Sequence, residues 1–393
     1  MEPDLTVVGA GLTGLTAAIE AAERGWRVVV AEAHSQPGGR ARSLSGPFRA
    51  NTGPHAIYVD GPWWAWLESR GLTPPIVGAP RDANLVRAGG QLGPWPAELS
   101  AAIAALPAEA AAEEPFRLWL LRYLTASTAE AIVGLMFIAT FDHDPGRLSA
   151  AFARERLRRA LSGGARYVVG GWSTLAGLLA ERAVSLGVQI RTGTRIPALP
   201  TGQTILATSL ATARQLTGDR SLTWPSARVA TFDLGLRADA SPGWFRVMDT
   251  DDRIYAARYS DADHTLAPPG HELIQIAAAC SPRERKTDAE RRVHRLLDES
   301  WPGWRAAVRW QRSCLRTNCT GAIDLPGTTW RDRPAVSRSS TLAVATDQSA
   351  APGLLAEAGI TAAQLAVQQL SETHPYRRAA GISSAARGGL KSG

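Results

Sequence analysis

The chain opens with a short apolar run, Leu5–Val8, whose unbroken hydrophobicity predicts a buried parallel strand. A glycine-rich turn follows. Leu15, Ala18, Ile19 and Ala22 then recur on one side of a 3.6-residue period, which predicts a helix that Gly25 ends. The run WRVVVAE predicts a second strand, with Glu32 at its C-terminal end. Far downstream, Tyr167–Ile196 reads as a Gly-Gly turn and a helix carrying Leu175, Leu178, Leu179, Arg182 and Ala183. Gly187 closes that helix, and VQIRTGTRI predicts strand, turn, strand. Thr204–Leu210 and Thr341–Gly353 each start as short apolar runs, and the second delivers Asp347 before breaking at Pro352 and Gly353. Two regions read differently. Residues from about Gly93 to Arg166 are rich in Ala, Leu and Arg with helical periodicity. Residues from about Arg228 to Asp324 alternate apolar and polar, predicting antiparallel strands with one exposed face. Within them, TDAERRVHRLLDESW predicts an amphipathic helix with a solvated charged face, stopped by Pro302.

The N-terminal turn carries the first chemistry. Gly9, Gly11 and Gly14 form GxGxxG between a predicted strand and a predicted helix. Gly9 permits the tight turn, Gly11 lets the backbone approach a pyrophosphate, and Gly14 lets the helix pack on the strand. The helix N-terminus offers unpaired N–H groups and the positive end of its dipole to phosphates. Glu32 stands at about the 20-residue distance at which an acid binds an adenosine ribose, and it disfavours a 2′-phosphate. Strand, helix, second strand and terminal acid agree on dinucleotide binding. GxGxxG alone does not separate NAD from FAD.

The segment after Glu32 does. Gly38-Gly39-Arg40 would put a second glycine turn and an arginine beside the same phosphates, and Asn51-Thr52-Gly53-Pro54-His55 follows. This arrangement resembles the flavin-binding family that includes amine oxidases, protoporphyrinogen oxidases and phytoene desaturases. In that family the last turn usually begins with Asp; here it begins with Asn51. The resemblance implies a fold of the α/β class: a Rossmann-like FAD-binding domain, a parallel sheet with flanking helices, interleaved with an α+β substrate domain that contains an antiparallel sheet. The expected boundaries are 1–92, 166–225 and 326–370 for the first domain, 93–165 and 226–325 for the second, and a flexible tail over 371–393.

The resemblance also implies a cofactor set of Gly9, Gly11, Leu12, Thr13, Gly14, Glu32, Ala33, Gly38, Gly39, Arg40, Gly53, Pro54, His55, Ile196, Ala207, Thr208, Thr346, Asp347 and Thr361, holding FAD non-covalently. Ile196 would lie by the adenine, Ala207 and Thr208 by the phosphates, and Asp347 on a ribityl hydroxyl. Thr346 stands where the family has glycine, and Thr361-Ala362 where it has Ser-Gly. A threonine disfavours a positive φ, so a local difference is expected there.

Composition narrows the rest. The 393 residues are 45% hydrophobic and 20% charged, which suits two or three globular domains. The excess of 43 basic over 36 acidic residues is +7, and it is dispersed, unlike a nucleic-acid stripe. The 3 cysteines include no CxxC pair, so neither a disulfide framework nor a structural zinc is expected. Cys314 and Cys319 are expected to be buried thiols. The start Met1-Glu2-Pro3-Asp4 does not read as a signal peptide, and Ile132–Phe141 is too short to span a bilayer, so a cytoplasmic location is expected. Asp142-His143-Asp144 before Pro145 reads as a capping turn with Ser149 opening the next helix, and no metal site is expected. Of 13 tryptophans, Trp63, Trp64 and Trp66 cluster; a substrate channel and a peripheral membrane contact are alternatives to the expected core role.

The family resemblance implies an oxidoreductase in which flavin N5 accepts a hydride from a hydrophobic or aromatic small molecule. No second GxGxxG with its strand and acid is present, so oxygen, a quinone or another carrier would reoxidise the flavin. The only lysines, Lys286 and Lys391, do not suit an amine-oxidase lysine. His55 is the one candidate for the catalytic group, and Tyr255, Tyr259 and His264 belong to the predicted substrate sheet. A redox-neutral isomerase using reduced flavin and a flavin-fold partner protein without catalysis are the alternatives. Nothing in the sequence sets the oligomeric state.

Overall fold

The computed structural model describes residues 2–80, 83–317 and 321–373, so Cys319 and residues 374–393 lie outside the described part. The chain divides into two compact units. The first comprises residues 1–39, 179–223 and 333–393; the second comprises 40–178 and 224–332.

The first unit is built on a 5-stranded sheet. Its order is Leu342–Val344, Thr204–Leu206, Leu5–Val8 (β1), Val28–Ala31 (β2) and Gln189–Arg191. Every pairing is parallel, so β1 sits in the middle with neighbours on both sides. This accounts for its apolar run, since a central parallel strand is covered on both faces. The helix Leu12–Ala22 (α1) returns from β1 to β2. The apolar period predicts one buried face, yet Gly14 through Ala21 are all buried. The final helix, Ala356–Thr373, packs against α1 and covers the side that would otherwise meet water. That helix includes residues 371–373, which the sequence assigned to the tail. The second strand expected at Ile196 does not form. Ile196 precedes Pro197, which lacks the N–H that a continuing ladder would need.

The second unit holds a 7-stranded sheet in the order Val308–Thr317, Arg228–Arg237, His271–Ala279, Ile254–Arg258, Arg246–Asp249, Asn84–Ala88 and Gln91–Pro94. All pairs are antiparallel except Arg246–Asp249 with Asn84–Ala88. The helix Lys286–Ser300 buries Ala289, Val293, Leu296 and Leu297 against Phe232, Leu234, Ile274 and Ile276 on one face. The other face was expected to be exposed. Instead, Val229 through Leu236 are all buried. Part of the cover is Phe48, whose ring occupies the space that a side chain at Gly235 would need.

A helical block, with Phe116, Trp119, Ile132 and Met136 at its centre, forms a further core of this unit. Trp63 and Trp66 are buried, while Trp64 is half-buried and donates to the Glu68 carboxylate. Asp142 accepts from Arg147 and from Asp144 N–H, and the Ser149 hydroxyl caps the helix Ala150–Leu161, as a capping turn requires. Cys314 is half-buried rather than buried, because it sits on the edge strand Val308–Thr317. No helix among the described residues is long and apolar enough to cross a membrane.

Asp249 gives this unit a pH-dependent element. Its Oδ1 accepts from the N–H groups of Asp251 and Asp252. Burial pushes its pKa up to about 6; the Asp252 N–H bond and Arg87 oppose the rise, and the charges of Asp252 and Asp251 add to it. A raised carboxyl pKa favours the protonated folded state. The resulting stabilisation is complete below the unfolded value near 3.8 and disappears as pH rises through about 6. Asp249→Asn keeps the turn acceptor without the charge. Thermal unfolding from pH 4 to 7 should show wild type losing up to about 3 kcal/mol relative to this variant. Parallel stability curves for the two proteins would contradict the assignment.

Candidate functional site

The glycine turn of the first unit is built by exclusion. A Cβ on Gly14 would stand 1.9 Å from the Gly9 carbonyl oxygen and 3.2 Å from Ala207 Cβ. One on Gly9, whose φ is +105°, would stand 2.5 Å from the Ala207 carbonyl oxygen. These two glycines are required by the protein itself. Gly11 is not. Its φ of −72° suits any residue, and a Cβ there would meet nothing within 4 Å. It is also the N-cap of α1 and brings no side chain to bond the free N–H groups of the first turn. A missing Cβ that neither backbone angle nor packing demands, beside uncapped donors, fits a bound anionic group approaching the backbone.

The surroundings suit that group. Gly38 pairs with Gly11 as an isolated parallel bridge and donates to the Ala10 carbonyl at 2.7 Å. Gly39 has a φ of +56°, and a Cβ on it would stand 3.2 Å from Gly11 Cα. Glu32 is buried and holds the loop in place: it accepts from Ala10 N–H at 2.8 Å and from His34 N–H at 2.9 Å. Ala33 is exposed beside it, and Leu12 and Thr13 lie half-buried at the start of α1. Ala207 reaches the same turn from the end of Thr204–Leu206, with Thr208 next to it. Ile196 is half-buried outside any strand.

Thr346 and Asp347 follow the strand Leu342–Val344. Thr346 is absent from the residues with positive φ, so the side chain brings no backbone strain. Its hydroxyl donates to Asp347 Oδ1 at 3.0 Å and accepts from Gln348 N–H. Threonine in place of glycine thus orients the carboxylate. Thr361 is half-buried in the second turn of the final helix, not at its start. The residue that matters more in that helix is Gly359. A Cβ there would lie 2.5 Å from Thr13 Oγ1 and 3.3 Å from Asp347 N. Sequence reasoning missed it, although an isolated glycine inside a helical pattern is a known sign of close approach.

Arg40, Gly53, Pro54 and His55 belong to the second unit. The Arg40 carbonyl accepts from the Thr52 hydroxyl, and its side chain is exposed. Gly53 has a φ of +128°. The His55 ring keeps some exposed surface, packs on Trp172 at 5.0 Å and bonds the Gly53 carbonyl through Nδ1 at 2.5 Å. Desolvation pushes its pKa below 6.5. The Gly53 and Arg40 carbonyls oppose the shift, and the charges of Arg40 and Arg316 reinforce it. The shift favours the neutral imidazole at His55. Tyr255 and Tyr259 are buried, and Tyr255 shares a hydroxyl contact of 3.4 Å with Tyr167. Burial raises the Tyr167 and Tyr259 pKa values well above 10. His264 lies in a short 3-10 turn rather than in the sheet.

Two glycine variants separate the roles in the turn. Gly14→Ala should lower stability by roughly 3 kcal/mol or more through the clash with the Gly9 carbonyl. Gly11→Ala should unfold within about 0.5 kcal/mol of wild type without ligand, yet bind a dinucleotide at least tenfold more weakly. Thermal unfolding with and without the dinucleotide checks both. A Gly11→Ala protein that binds like wild type would remove the open face as a ligand site.

Residues 7–69 match the NAD(P)-binding Rossmann-like domain family. A 57-residue segment is 54% identical to the hydroxyneurosporene desaturase of Rhodobacter capsulatus, covering 14% of this chain and 12% of that protein. The match therefore spans a small part of the relative's length. Among solved structures, cyclohexylamine oxidase from Brevibacterium oxydans aligns over 95% of this chain and 99% of its own, with a TM-score of 0.70 and 16% identity. A reduced UDP-galactopyranose mutase aligns over 83% and 85%, with a TM-score of 0.59 and 15% identity. With its glycine turn on a parallel sheet and its antiparallel second unit, the chain has the fold of amine oxidases such as cyclohexylamine oxidase.

Proposed function

We propose that the protein is a flavin-dependent oxidoreductase that binds FAD non-covalently and acts on a hydrophobic small molecule. The open, uncapped face at Gly11 carries this reading. Gly9, Gly11, Gly38 and Gly39 let the pyrophosphate meet the α1 N-terminus, and Glu32 takes the adenosine ribose. Asp347, oriented by Thr346, takes a ribityl hydroxyl, with Thr13 and Gly359 beside it. Leu12, Ala33, Ala207 and Thr208 complete the surroundings. The proposed parts of Arg40, Gly53, Pro54 and His55 rest on the likeness of their turn to the flavin family. Bound FAD would supply the two-electron acceptor, and the protein supplies binding, orientation and exclusion of water.

The likeness to a carotenoid desaturase over the cofactor segment and to an amine oxidase in fold supports oxidation or desaturation of a C–H bond. The scarcity of lysine speaks against the lysine-dependent amine oxidases. A neutral His55 can accept or hold a proton without first losing one. Oxygen or a quinone-like carrier is the proposed acceptor of electrons. The fold shared with a mutase supports a second reading, a redox-neutral isomerase.

Reconstitution with FAD followed by desalting tests the cofactor. A yellow protein that releases all its flavin on denaturation is expected. A chain that retains no flavin would end both readings. Anaerobic photoreduction and then oxygen distinguishes an oxidase from the rest: rapid return of the oxidised spectrum is the oxidase result, and slow return is the dehydrogenase or isomerase result. Asp347→Ala should weaken FAD binding by roughly 10- to 100-fold, as expected for loss of a hydrogen bond to a charged group. Unchanged affinity would remove Asp347 from the site.

A further inference from the structure

On the face of the second unit's sheet opposite the helix Lys286–Ser300, three neighbouring strands each contribute one polar side chain. Asp233 is central and almost completely buried, at 1% side-chain exposure. Gln275 is paired with it across the ladder and is 0% exposed. Arg312 is paired with it on the other side. Arg312 Nη2 lies 2.6 Å from Asp233 Oδ2, and Gln275 Nε2 donates to Asp233 Oδ1 at 2.8 Å. A carboxylate buried in an apolar sheet costs stability unless it is paired in this way.

The trio does more than satisfy itself. Gln275 Nε2 and Arg312 Nη2 both donate to the Asn51 carbonyl, at 3.0 and 3.1 Å, and Gln275 Oε1 accepts from Asn51 N–H at 3.4 Å. The side chain of Asn51 continues the chain of contacts. Its Oδ1 accepts from the Ser43 hydroxyl at 2.8 Å and from Trp172 N–H at 3.0 Å. The Trp172 ring is the surface on which His55 packs. One end of the Asn51–His55 turn is thus bonded to the trio, and the other rests on a tryptophan held by the same asparagine.

We infer that Asp233, Gln275 and Arg312 are positioning residues that fix the Asn51–His55 turn and, through Asn51 and Trp172, the place of the His55 ring. The inference rests on the reading above, in which this turn serves the flavin. It adds residues that lie more than 170 positions from the turn in sequence. The charge of the trio stays local: Asp233 and Arg312 neutralise each other, and the charges that act most on His55 are those of Arg40 and Arg316. A change at position 275 alters no charge and can therefore reach His55 only by moving it. Arg312→Met also leaves the Asp233 carboxylate unpaired, so Gln275→Met and the charge-keeping Arg312→Lys report movement alone.

The test follows the His55 ring by NMR titration in the FAD-reconstituted full chain. Its resonance is assigned by its loss in His55→Gln. In Gln275→Met and Arg312→Met, the His55 pKa should rise measurably towards 6.5, as the ring loses its desolvated place. Arg312→Lys keeps the charge but not the forked geometry and should give a smaller rise. Far-UV circular dichroism and cooperative unfolding identify the folded variants. If the two methionine variants fold and titrate like wild type, the inference is overturned. If they do not fold, Arg312→Lys decides by the same criterion, with an unshifted titration overturning it. The titration can be read whether or not FAD is retained, so a failure of the flavin reading shows separately as a colourless protein.

Discussion

The first unit depends on one contact that admits no side chain. The start of α1 meets β1 so closely that the smallest possible branch at Gly14 would overlap the Gly9 carbonyl. Ala207 closes the same gap from the neighbouring strand. The helix N-terminus is therefore held against the sheet by backbone, which does not change rotamer. Donors placed this way would need little reorganisation to meet an anion, and preorganisation of that kind raises affinity. Glu32 contributes to the same rigidity, because its carboxylate ties the N–H of Ala10 inside the turn.

The glycine turn and its strands were legible in the sequence because the constraint is local. Strand, turn, helix and acid follow one another within a few dozen residues, and each has its own residue signature. The antiparallel region was legible for the same reason, through its alternation. What the sequence did not reveal depends on contacts between distant segments. α1 is buried all round because the final helix lies over it, and no periodicity within α1 encodes that. The strand Arg228–Arg237 is covered on its second face partly by Phe48, almost two hundred residues earlier. Ile196 lies outside any strand, and Pro197 after it lacks the N–H that a ladder would need.

Thr346 shows how an apparent defect in a motif can be a substitution of means. The sequence suggested that threonine would disturb a backbone suited to glycine. The chain avoids the positive φ and uses the hydroxyl to orient the adjacent carboxylate. Gly359 shows the reverse. The glycine needed for close approach is in the helix that crosses Thr13 and Asp347, not in the strand that ends at Asp347.

Sheets usually recruit another segment of chain at an edge, where unpaired N–H and C=O groups are on offer. Gln275 offers the same pair of groups from a sheet face. Its side-chain amide gives Asn51 an acceptor and a donor, as a neighbouring peptide unit would. A turn can then be fastened to the middle of a sheet by backbone hydrogen bonds without extending the sheet. Because an amide has one donor end and one acceptor end, the fastening is directional. Glutamate at 275 would face the Asp233 carboxylate with a second one, and methionine would leave both backbone groups of Asn51 without this partner. The identity of one side chain in the centre of the sheet therefore sets the polarity with which the turn can be laid across it.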